Sequence, residues 1–481
     1  MPSPSGLPVL FVLLLGGFVT VFDLFVVNVA IPAIQADLGA SFGEVGAVVA
    51  AYELAYGVLL ITGSRLGDLH GRRRLFVLGM AGFTLASALC GVAPTAALLI
   101  TARVLQGGAA ALLFPQIYAV IRVSFDDAAR RRAFGLLGMT LGLAAIAGQV
   151  LGGLLVQSDL FGLGWRLIFL INIPVGAAAM LAARRIPESR AMAAPGSPAS
   201  GLDWMGVLLA SAGLTLLLVP LLEGPARGWP GWTFASLALA AALLAGFVRV
   251  ERRRRAPLVD LALFAQRRFA LGTLVVLLVY STASAFFLCF ALLLQAGLGV
   301  GPLLAGSVFA PASVGFVAAS MWAPRLVGRF GNAVLAVAAL LYAAAHTALT
   351  LQVVTAGAML VPWHLVPALI LFGLAQGMLM TPLLNLVLGL ARETQAGMAS
   401  GVVSTMQQVG GAFGIAIAGL FFQRALQAEG GIGGIGGAQR YAHAFAGAMG
   451  YNLAAALLCA LLLLALARPL ASPDAVAQAA R

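Results

Sequence analysis

The chain has 481 residues, of which 62% are hydrophobic and 9% are charged, and its formal net charge is +12. About one quarter of the residues in a soluble globular protein are charged, so this composition excludes that class. Apolar runs long enough to cross about 30 Å of hydrocarbon recur along the whole sequence and predict a polytopic helical membrane protein.

The positive charge does not indicate a nucleic-acid-binding protein, because its placement follows the predicted membrane spans. All 28 basic residues are arginines. Most of them fall on one predicted side, including those at 72–74, 130–132 and 252–255. Such an asymmetry is the positive-inside rule and predicts that both termini are cytoplasmic. The three cysteines are scattered through apolar spans and indicate neither a disulfide framework nor a metal site.

Fourteen transmembrane helices are predicted from the apolar runs, and the first run is too long for a signal peptide. They are approximately 8–33, 45–67, 74–93, 97–122, 134–157, 166–185, 203–222, 230–250, 270–294, 302–326, 332–353, 362–389, 398–426 and 442–467. Two longer stretches, at 186–202 and 251–269, interrupt the series and enclose only helices 7 and 8. The helices are therefore arranged 6+2+6.

This arrangement predicts four regions. They are an N-terminal six-helix bundle at 1–187, a linker with two extra helices at 188–260, a C-terminal six-helix bundle at 261–470, and a cytoplasmic tail at 471–481. An internal repeat supports the division, because Arg65-Leu66 followed by Gly71 is matched by Arg325-Leu326 followed by Gly331. Each copy ends the second helix of a bundle. Transporter halves are often such repeats, with the substrate path between them.

Predicted helix 1 carries an acid, Asp23, near its middle. A mid-helix acid costs roughly 2.5–3.5 kcal/mol on insertion scales, so its side chain should face a cavity or a polar partner. A carboxyl group in such an environment is a candidate proton carrier. The alternative is a structural acid that is hydrogen-bonded to a neighbouring helix. Phe25 and Asn28 lie close to Asp23 on the same helix and are candidate substrate contacts.

Predicted helix 2 carries a second acid, Glu53, flanked by Tyr52 and Tyr56. The same energetic argument predicts that it relays protons or recognises a cation, with a purely structural role as the alternative. The aromatic neighbours suit a cationic aromatic substrate, because a cation is attracted to the face of an aromatic ring.

A short cationic loop between helices 2 and 3 carries a fixed pattern, Gly63-Ser64-Arg65-Leu66-Gly67-Asp68-Leu69-His70-Gly71-Arg72-Arg73-Arg74. Its glycines tolerate positive φ and allow a sharp turn. The pattern closely resembles the signature loop between helices 2 and 3 of the major facilitator superfamily. His70 stands where that family usually has a basic residue.

In predicted helix 4, residues Arg103, Gln106 and Gly107 share one face, and Gln106 is a candidate substrate contact. Arginine does not release its proton in proteins, so we expect Arg103 to pair with an acid. The hypothesis is that it pairs with Asp23 or Glu53 in one conformation and releases it in the other. The Arg-Gln-Gly pattern resembles the helix-4 motif of the same superfamily, which is associated with proton transfer. A structural anchor is the alternative.

Further patterns resemble the fourteen-helix drug:proton antiporters of that superfamily. The first is the spacing of Asp23, Asn28 and Pro32 in helix 1, where the family's acid belongs to the coupling and substrate region. The second is the stretch 165–176, whose Trp and Arg also suit an interface anchor. Helix 5 resembles the glycine-rich exporter motif, but Gln149 stands where the motif normally has proline. Gln149 is therefore a candidate cavity residue.

The resemblance also implies a gate on the cytoplasmic side. Asp68 would meet the N-terminus of helix 13, near Thr394, at a gain of a few tenths to about 1 kcal/mol. Arg72 or Arg73 would pair with Asp126 or Asp127 after helix 4. With Gly63 and Gly71, these residues would latch the cytoplasmic side closed when the protein faces outward. The alternative is a signal for topology only.

The last six predicted helices contain no acid, so the coupling carboxylates are expected in the first half. His346 can titrate near neutral pH, but a packing histidine is the favoured interpretation. The GxGxxG pattern at 431–436 lacks a preceding strand and is interpreted as a linker. The sequence has no Walker loop, HExxH or nucleophile elbow, so we predict neither an enzyme nor an ATP-driven pump.

These patterns together imply an all-α major facilitator protein in a bacterial plasma (inner) membrane. Its expected function is to exchange inward-moving protons for outward-moving amphipathic drugs, cationic or aromatic in character, by alternating access. Its expected partners are a small-molecule substrate, protons and the lipid bilayer, with no cofactor and no nucleic acid, and it is expected to work as a monomer. Dedicated export of one metabolite, such as an antibiotic or a siderophore, is the alternative. A scaffold or sensor without turnover is disfavoured, because it gains nothing from buried charges.

Overall fold

The computed structural model describes residues 6–189, 203–224, 227–254, 259, 261–390, 396–428 and 437–467. These residues form helices and loops without strands, and fourteen of the helices are long and apolar enough to cross a membrane. The fourteen are α1 Gly6–Leu38, α2 Phe42–His70, α3 Arg72–Gly91, α4 Ala96–Ser124, α5 Asp127–Ser158, α6 Gly164–Arg185, α7 Trp204–Glu223, α8 Gly231–Glu251, α9 Arg267–Leu292, α10 Pro302–Phe330, α11 Ala333–Ala356, α12 Val366–Gly389, α13 Ala396–Ala428 and α14 Gly437–Ala467. Each predicted span corresponds to one of them.

The largest boundary difference is at α5, which begins at Asp127 and not near residue 134. The side chain of Asp126 accepts a hydrogen bond from the backbone N–H of Ala129 at 2.8 Å and so caps the helix. The arginines at 130–132 therefore lie in the first two turns of a helix and not in a loop. Hydrophobicity alone misses this start because the polar turn precedes the apolar run.

Helix contacts show an internal repeat. In the first group, α1 packs on α5, α2 and α3 pack on α4, and α3 packs on α6. The second group repeats these pairs as α9 with α13, α10 and α11 with α12, and α11 with α14. The two groups meet along two interfaces, α2 with α13 and α5 with α10, while α7 and α8 pack together beside α2. The 6+2+6 arrangement follows, and the predicted domain limits stay predictions.

The two copies of the sequence repeat end equivalent helices in the same way. Gly71 caps α2 with φ 110°, and Gly331 caps α10 with φ 70°. Both values lie in the region that favours glycine, which explains why glycine recurs at this place. Gly63 and Gly67, by contrast, lie inside α2, so the expectation that they turn the backbone was wrong. A Cβ added at Gly63 would overlap the carbonyl oxygen of Ala111, so this glycine lets α2 and α4 approach closely.

Because an even number of crossings returns the chain to its starting side, both ends of the described chain share one side, here called the termini side. The two groups are in contact on the opposite side, where Gln295 Nε2 donates to the backbone oxygen of Val29 at 2.8 Å. Nearby, the backbone N–H of Leu303 donates to Gln157 Oε1 at 3.3 Å. Towards the termini side, a Cβ added at Gly138 of α5 or Gly328 of α10 would have no atom within 4 Å. These two positions are therefore open.

Candidate functional site

The centre of the first helix group holds a buried ion pair between Asp23 of α1 and Arg103 of α4. Both side chains are 0% exposed, and Arg103 Nη1 donates to Asp23 Oδ2. The other carboxylate oxygen, Oδ1, accepts hydrogen bonds from Gln106 Nε2 at 2.7 Å and Asn172 Nδ2 at 3.1 Å. The structure therefore brings together Asp23, Arg103 and Gln106. The sequence analysis expected Arg103 to pair with either Asp23 or Glu53, and in this conformation the partner is Asp23.

Arg103 is held by groups from three helices. Its Nε donates to the backbone oxygen of Val48 at 3.1 Å, and its Nη1 donates to Gln106 Oε1 at 2.7 Å. The guanidinium carbon lies 4.3 Å from the ring centre of Tyr52, which places the cation over an aromatic face. Its Nη2 has no hydrogen-bond partner in the described structure. Breaking such a buried pair by removing one partner is strongly destabilising, because the other charge remains without compensation.

Two members of this cluster were missed by the sequence analysis. Ser87 Oγ accepts hydrogen bonds from Gln106 Nε2 at 2.8 Å and Asn172 Nδ2 at 3.2 Å. Asn172 lies in the stretch 165–176, which resembled the antiporter family but was interpreted through its Trp and Arg as an anchor. Its position in an otherwise apolar helix was a usable signal. A lone serine in an apolar helix gives no such signal.

The second acid, Glu53, lies at the interface between the two groups and not in the Asp23 cluster. Its side chain is buried, and Glu53 Oε1 accepts a hydrogen bond from Ser284 Oγ of α9 at 3.0 Å. Glu53 Oε2 has no hydrogen-bond partner in the described structure. A Cβ added at Gly411 of α13 would overlap this oxygen, so the carboxyl group packs directly on that helix.

The predicted substrate contacts occupy different places. The ring of Phe25 packs edge-on against Phe287 of α9, with centroids 5.1 Å apart. Asn28 Nδ2 donates to the backbone oxygen of Leu24 in its own helix at 3.2 Å. The ring of Tyr56 lies between those of Tyr52 and Phe114.

Gln149 lines a small cavity between the two groups. Its Nε2 has no hydrogen-bond partner in the described structure, and the other lining residues include Phe287, Phe290 and Phe309. The cavity therefore offers aromatic rings and one unpaired amide donor. Whether these residues contact a substrate stays a prediction.

The predicted gate residues form a different set of pairs in this conformation. Arg72 Nη2 pairs with Asp68 Oδ1 at 2.8 Å, and the backbone N–H of Arg73 donates to Glu188 Oε1 at 3.1 Å. The carboxylate of Asp126 caps α5, so the structure does not bring it to Arg72 or Arg73. The side chain of Asp127 and all of Thr394 lie outside the described residues. The latch stays a prediction for the conformation in which the protein faces outward.

Asp68→Asn tests the gate. We expect normal folding with a loss of most transport if Asp68 holds the latch, because the amide no longer carries the charge that favours a helix N-terminus. The Asp68–Arg72 pair is partly exposed, so the cost in stability should be below about 1 kcal/mol. Transport in proteoliposomes and thermal melting in detergent measure the two effects. Unchanged transport would remove the latch and leave a topology signal.

The second helix group holds a neutral counterpart of the Asp23 cluster. His346 Nδ1 bonds with the backbone oxygen of Tyr342 at 2.8 Å, and its Nε2 lies 3.2 Å from Asn452 Nδ2. Asn452 Nδ2 also donates to the backbone oxygen of Thr282 at 3.0 Å. These residues lie on α9, α11 and α14, which are equivalent to α1, α3 and α6 in the repeat. The contacts favour a packing role for His346.

Solved structures with the same fold are transporters. One is a bacterial homologue of the human lysosomal transporter Spinster, inward-facing and occupied, at a TM-score of 0.68 and 16% identity over 97% of this chain and 98% of that chain. Another is a D-xylose–proton symporter, at a TM-score of 0.66 and 14% identity over 95% of this chain and 97% of that chain. Likeness at this identity defines the architecture, an all-helical membrane transporter fold.

The family model of the Major Facilitator Superfamily matches residues 13–415, and the chain belongs to this family. It is a multi-pass bacterial membrane transporter and not an enzyme. The chain is 40% identical to a probable actinorhodin transporter of Streptomyces coelicolor, over 83% of this chain and 69% of that protein. It is 37% identical to the puromycin resistance protein pur8 of Streptomyces alboniger, over 86% and 82%. It is 32% identical to the multidrug resistance protein Stp of Mycobacterium tuberculosis, over 84% and 74%.

Proposed function

We propose that this protein is a proton-coupled exporter of amphipathic drugs, cationic or aromatic in character. The observation that carries the proposal is the buried pair of Asp23 and Arg103, with amide partners from α4 and α6. A buried pair is costly to maintain, which favours a working role over packing. A relative that is 34% identical and is named as a tetracenomycin C resistance and export protein supports the direction of transport.

Proton exchange at Asp23 is the proposed coupling step. In this conformation Arg103 compensates the carboxylate, so the pair carries no net charge. Protonation of Asp23 would cancel its attraction for Arg103 and free the guanidinium to find another partner. Glu53 is another buried acid, and it follows Tyr52, whose ring lies under the Arg103 guanidinium. An exchange of Arg103 between these acids links proton binding to a rearrangement of α1, α2 and α4. Arg103→Ala should therefore alter the pH dependence of transport.

Proton-gradient-driven ethidium transport in proteoliposomes tests the proposal. We expect ethidium to move in the parent protein only when a proton gradient is imposed, and in the direction opposite to the protons. Accumulation without a gradient would contradict antiport. Glu223→Gln is a suitable control, because Glu223 is an acid near the end of α7 that pairs with Arg227 at 3.1 Å, away from the Asp23 cluster.

Dedicated export of one antibiotic is the second candidate. It is favoured by relatives whose names refer to single compounds, actinorhodin and puromycin. A panel of structurally unrelated drugs separates the two candidates. Resistance to many compounds supports a multidrug exporter. Resistance to one compound class, with ethidium not moving, supports the dedicated one.

A further inference from the structure

The interface that joins α2 to α9 and α13 contains a buried acid, Glu53, which forms no ion pair with any basic residue that the structure describes. Here this interface is called the Glu53 interface. It is formed by α2 residues 46–61, α9 residue 284 and α13 residues 401–415. Along it, Thr405 Oγ1 donates to the backbone oxygen of Gly57 at 2.9 Å, and a Cβ added at Gly57 would lie 2.7 Å from Gln408 Cβ. The two helix groups are thus in tight contact about one turn from Glu53.

The hydrogen bonds of Glu53 are too few for a carboxylate. An ionised carboxylate has about four acceptor sites, and here only Ser284 Oγ donates, at 3.0 Å. Glu53 Oε2 is buried, has no partner in the described structure, and packs on the backbone of Gly411. Asp23 provides the contrast within the same chain, because its carboxylate has an arginine and two amide donors. Geometry therefore distinguishes a charged acid at Asp23 from an uncharged one at Glu53.

The groups that surround Glu53 do not supply a counter-charge. Its neighbours on α2 are Tyr52 and Tyr56. From α9 come Ser284 and, one turn earlier, Tyr280, which is hydrogen-bonded to Gln407 of α13. Arg103 of α4 lies over the ring of Tyr52, the residue before Glu53, but its Nη1 is bound to Asp23. Loss of a proton from Glu53 would leave a buried anion that is stabilised by one hydroxyl group.

We propose that Glu53 is a second proton site, separate from Asp23, whose protonated form closes the Glu53 interface and whose ionised form opens it. Ser284 is then a positioning residue that holds the carboxyl group against α13. The inference rests on the proposed function for its physiological meaning, since it assigns a second proton to the same exporter. Opening would expose the carboxylate to water or to a cationic substrate, which supplies the missing counter-charge.

A disulfide trap measures closure of the Glu53 interface without any transport. A Cβ added at Gly401 would lie 3.9 Å from the Cβ of Ile61, which matches the usual Cβ separation of a disulfide, about 3.8 Å. The pair Ile61→Cys and Gly401→Cys is placed in a background in which Cys90, Cys289 and Cys459 are replaced by alanine. Cross-linking by an oxidant is then followed in detergent between pH 5.5 and 9. The variant Glu53→Gln, which keeps the shape and has no charge, provides the permanently closed reference.

The measured quantity is the cross-linking rate with Glu53 present, divided by the rate in the Glu53→Gln background. We expect this ratio to fall several-fold as pH rises, and one linked proton sets the limit at about tenfold per pH unit. Taking the ratio cancels the rise in thiolate with pH, which both backgrounds share. Glu223→Gln should leave the fall unchanged, because Glu223 pairs with Arg227 away from this interface. A ratio that stays flat with pH would overturn the proposal.

Two further outcomes are decisive. If the cysteine pair does not cross-link even with Glu53→Gln at low pH, the closed interface is assigned wrongly and the inference is overturned. If the ratio falls with pH while ethidium does not move, the second proton site stands and the drug-export proposal fails separately. The readout is a conformational one, so the two failures are distinguishable.

Discussion

Replacing Asp23 with asparagine is expected to abolish proton-driven transport and to lower the free energy of unfolding by roughly 3–5 kcal/mol. The substitution leaves the guanidinium of Arg103 in the membrane interior without its counter-charge, while Gln106 and Asn172 still hold the amide oxygen. Thermal melting in detergent measures the loss of stability. Ethidium transport in proteoliposomes, at matched amounts of folded protein, measures the loss of function.

A double variant separates charge balance from proton coupling. Asp23→Asn combined with Arg103→Gln removes both buried charges, so most of the lost stability should return, because replacing a whole buried pair is often nearly neutral. Transport should not return, since neither proton binding nor its partner remains. Restored transport in the double variant would show that the pair is structural. In that case Glu53 would be the remaining candidate for proton coupling.

Replacing Gly63 with alanine is expected to cost about 1–3 kcal/mol or more, although only one methyl group is added. The new Cβ would overlap the backbone carbonyl of Ala111, and a backbone atom inside α4 cannot move aside cheaply. Separation of α2 from α4 would also disturb Arg103, which donates to the backbone oxygen of Val48. We expect a lower melting temperature together with reduced transport.

Matched controls for this prediction lie elsewhere in the helices. Gly138 of α5 and Gly450 of α14 would have no atom within 4 Å of an added Cβ. Alanine at either place should be neutral or should stabilise the helix by up to about 1 kcal/mol, because alanine is the better helix former. Equal effects of Gly63→Ala and Gly138→Ala on the melting temperature would contradict a role for Gly63 in close packing.

Much of the architecture was accessible from the sequence because membrane spans must satisfy their backbone internally and must be apolar. All fourteen helices, the 6+2+6 order and the repeat at Gly71 and Gly331 follow from hydrophobicity and turn chemistry. The start of α5 does not, because its first turn is charged and its cap is a single aspartate. Gly63 shows a related difficulty. A glycine near a turn either adopts the turn conformation or allows a neighbouring helix to approach closely, and the sequence does not distinguish the two roles.

The candidate site was accessible only in part. Charged residues in apolar spans identified Asp23, Glu53 and Arg103 because their cost in a membrane requires a reason. The sequence left open which acid Arg103 contacts, because that choice depends on how α1, α2 and α4 are rotated about their axes. Ser87 could not be predicted as a member of the cluster, because only the packing of α3 against its neighbours places it there. The partners of Arg72 depend on conformation, and one sequence encodes more than one conformation.

The two interfaces between the helix groups differ in how far they are covered on the lipid side, because α7 and α8 pack beside only one of them. α7 contacts both α2 and α13, so it lies over their line of contact and keeps acyl chains away from it. At α5, by contrast, Leu136, Met139 and Leu143 are exposed apolar side chains beside the line of contact with α10. A membrane-dissolved compound would therefore meet bare protein at one flank and an additional helix pair at the other. We expect lateral entry from the bilayer, if the substrate takes that route, on the α5 and α10 flank.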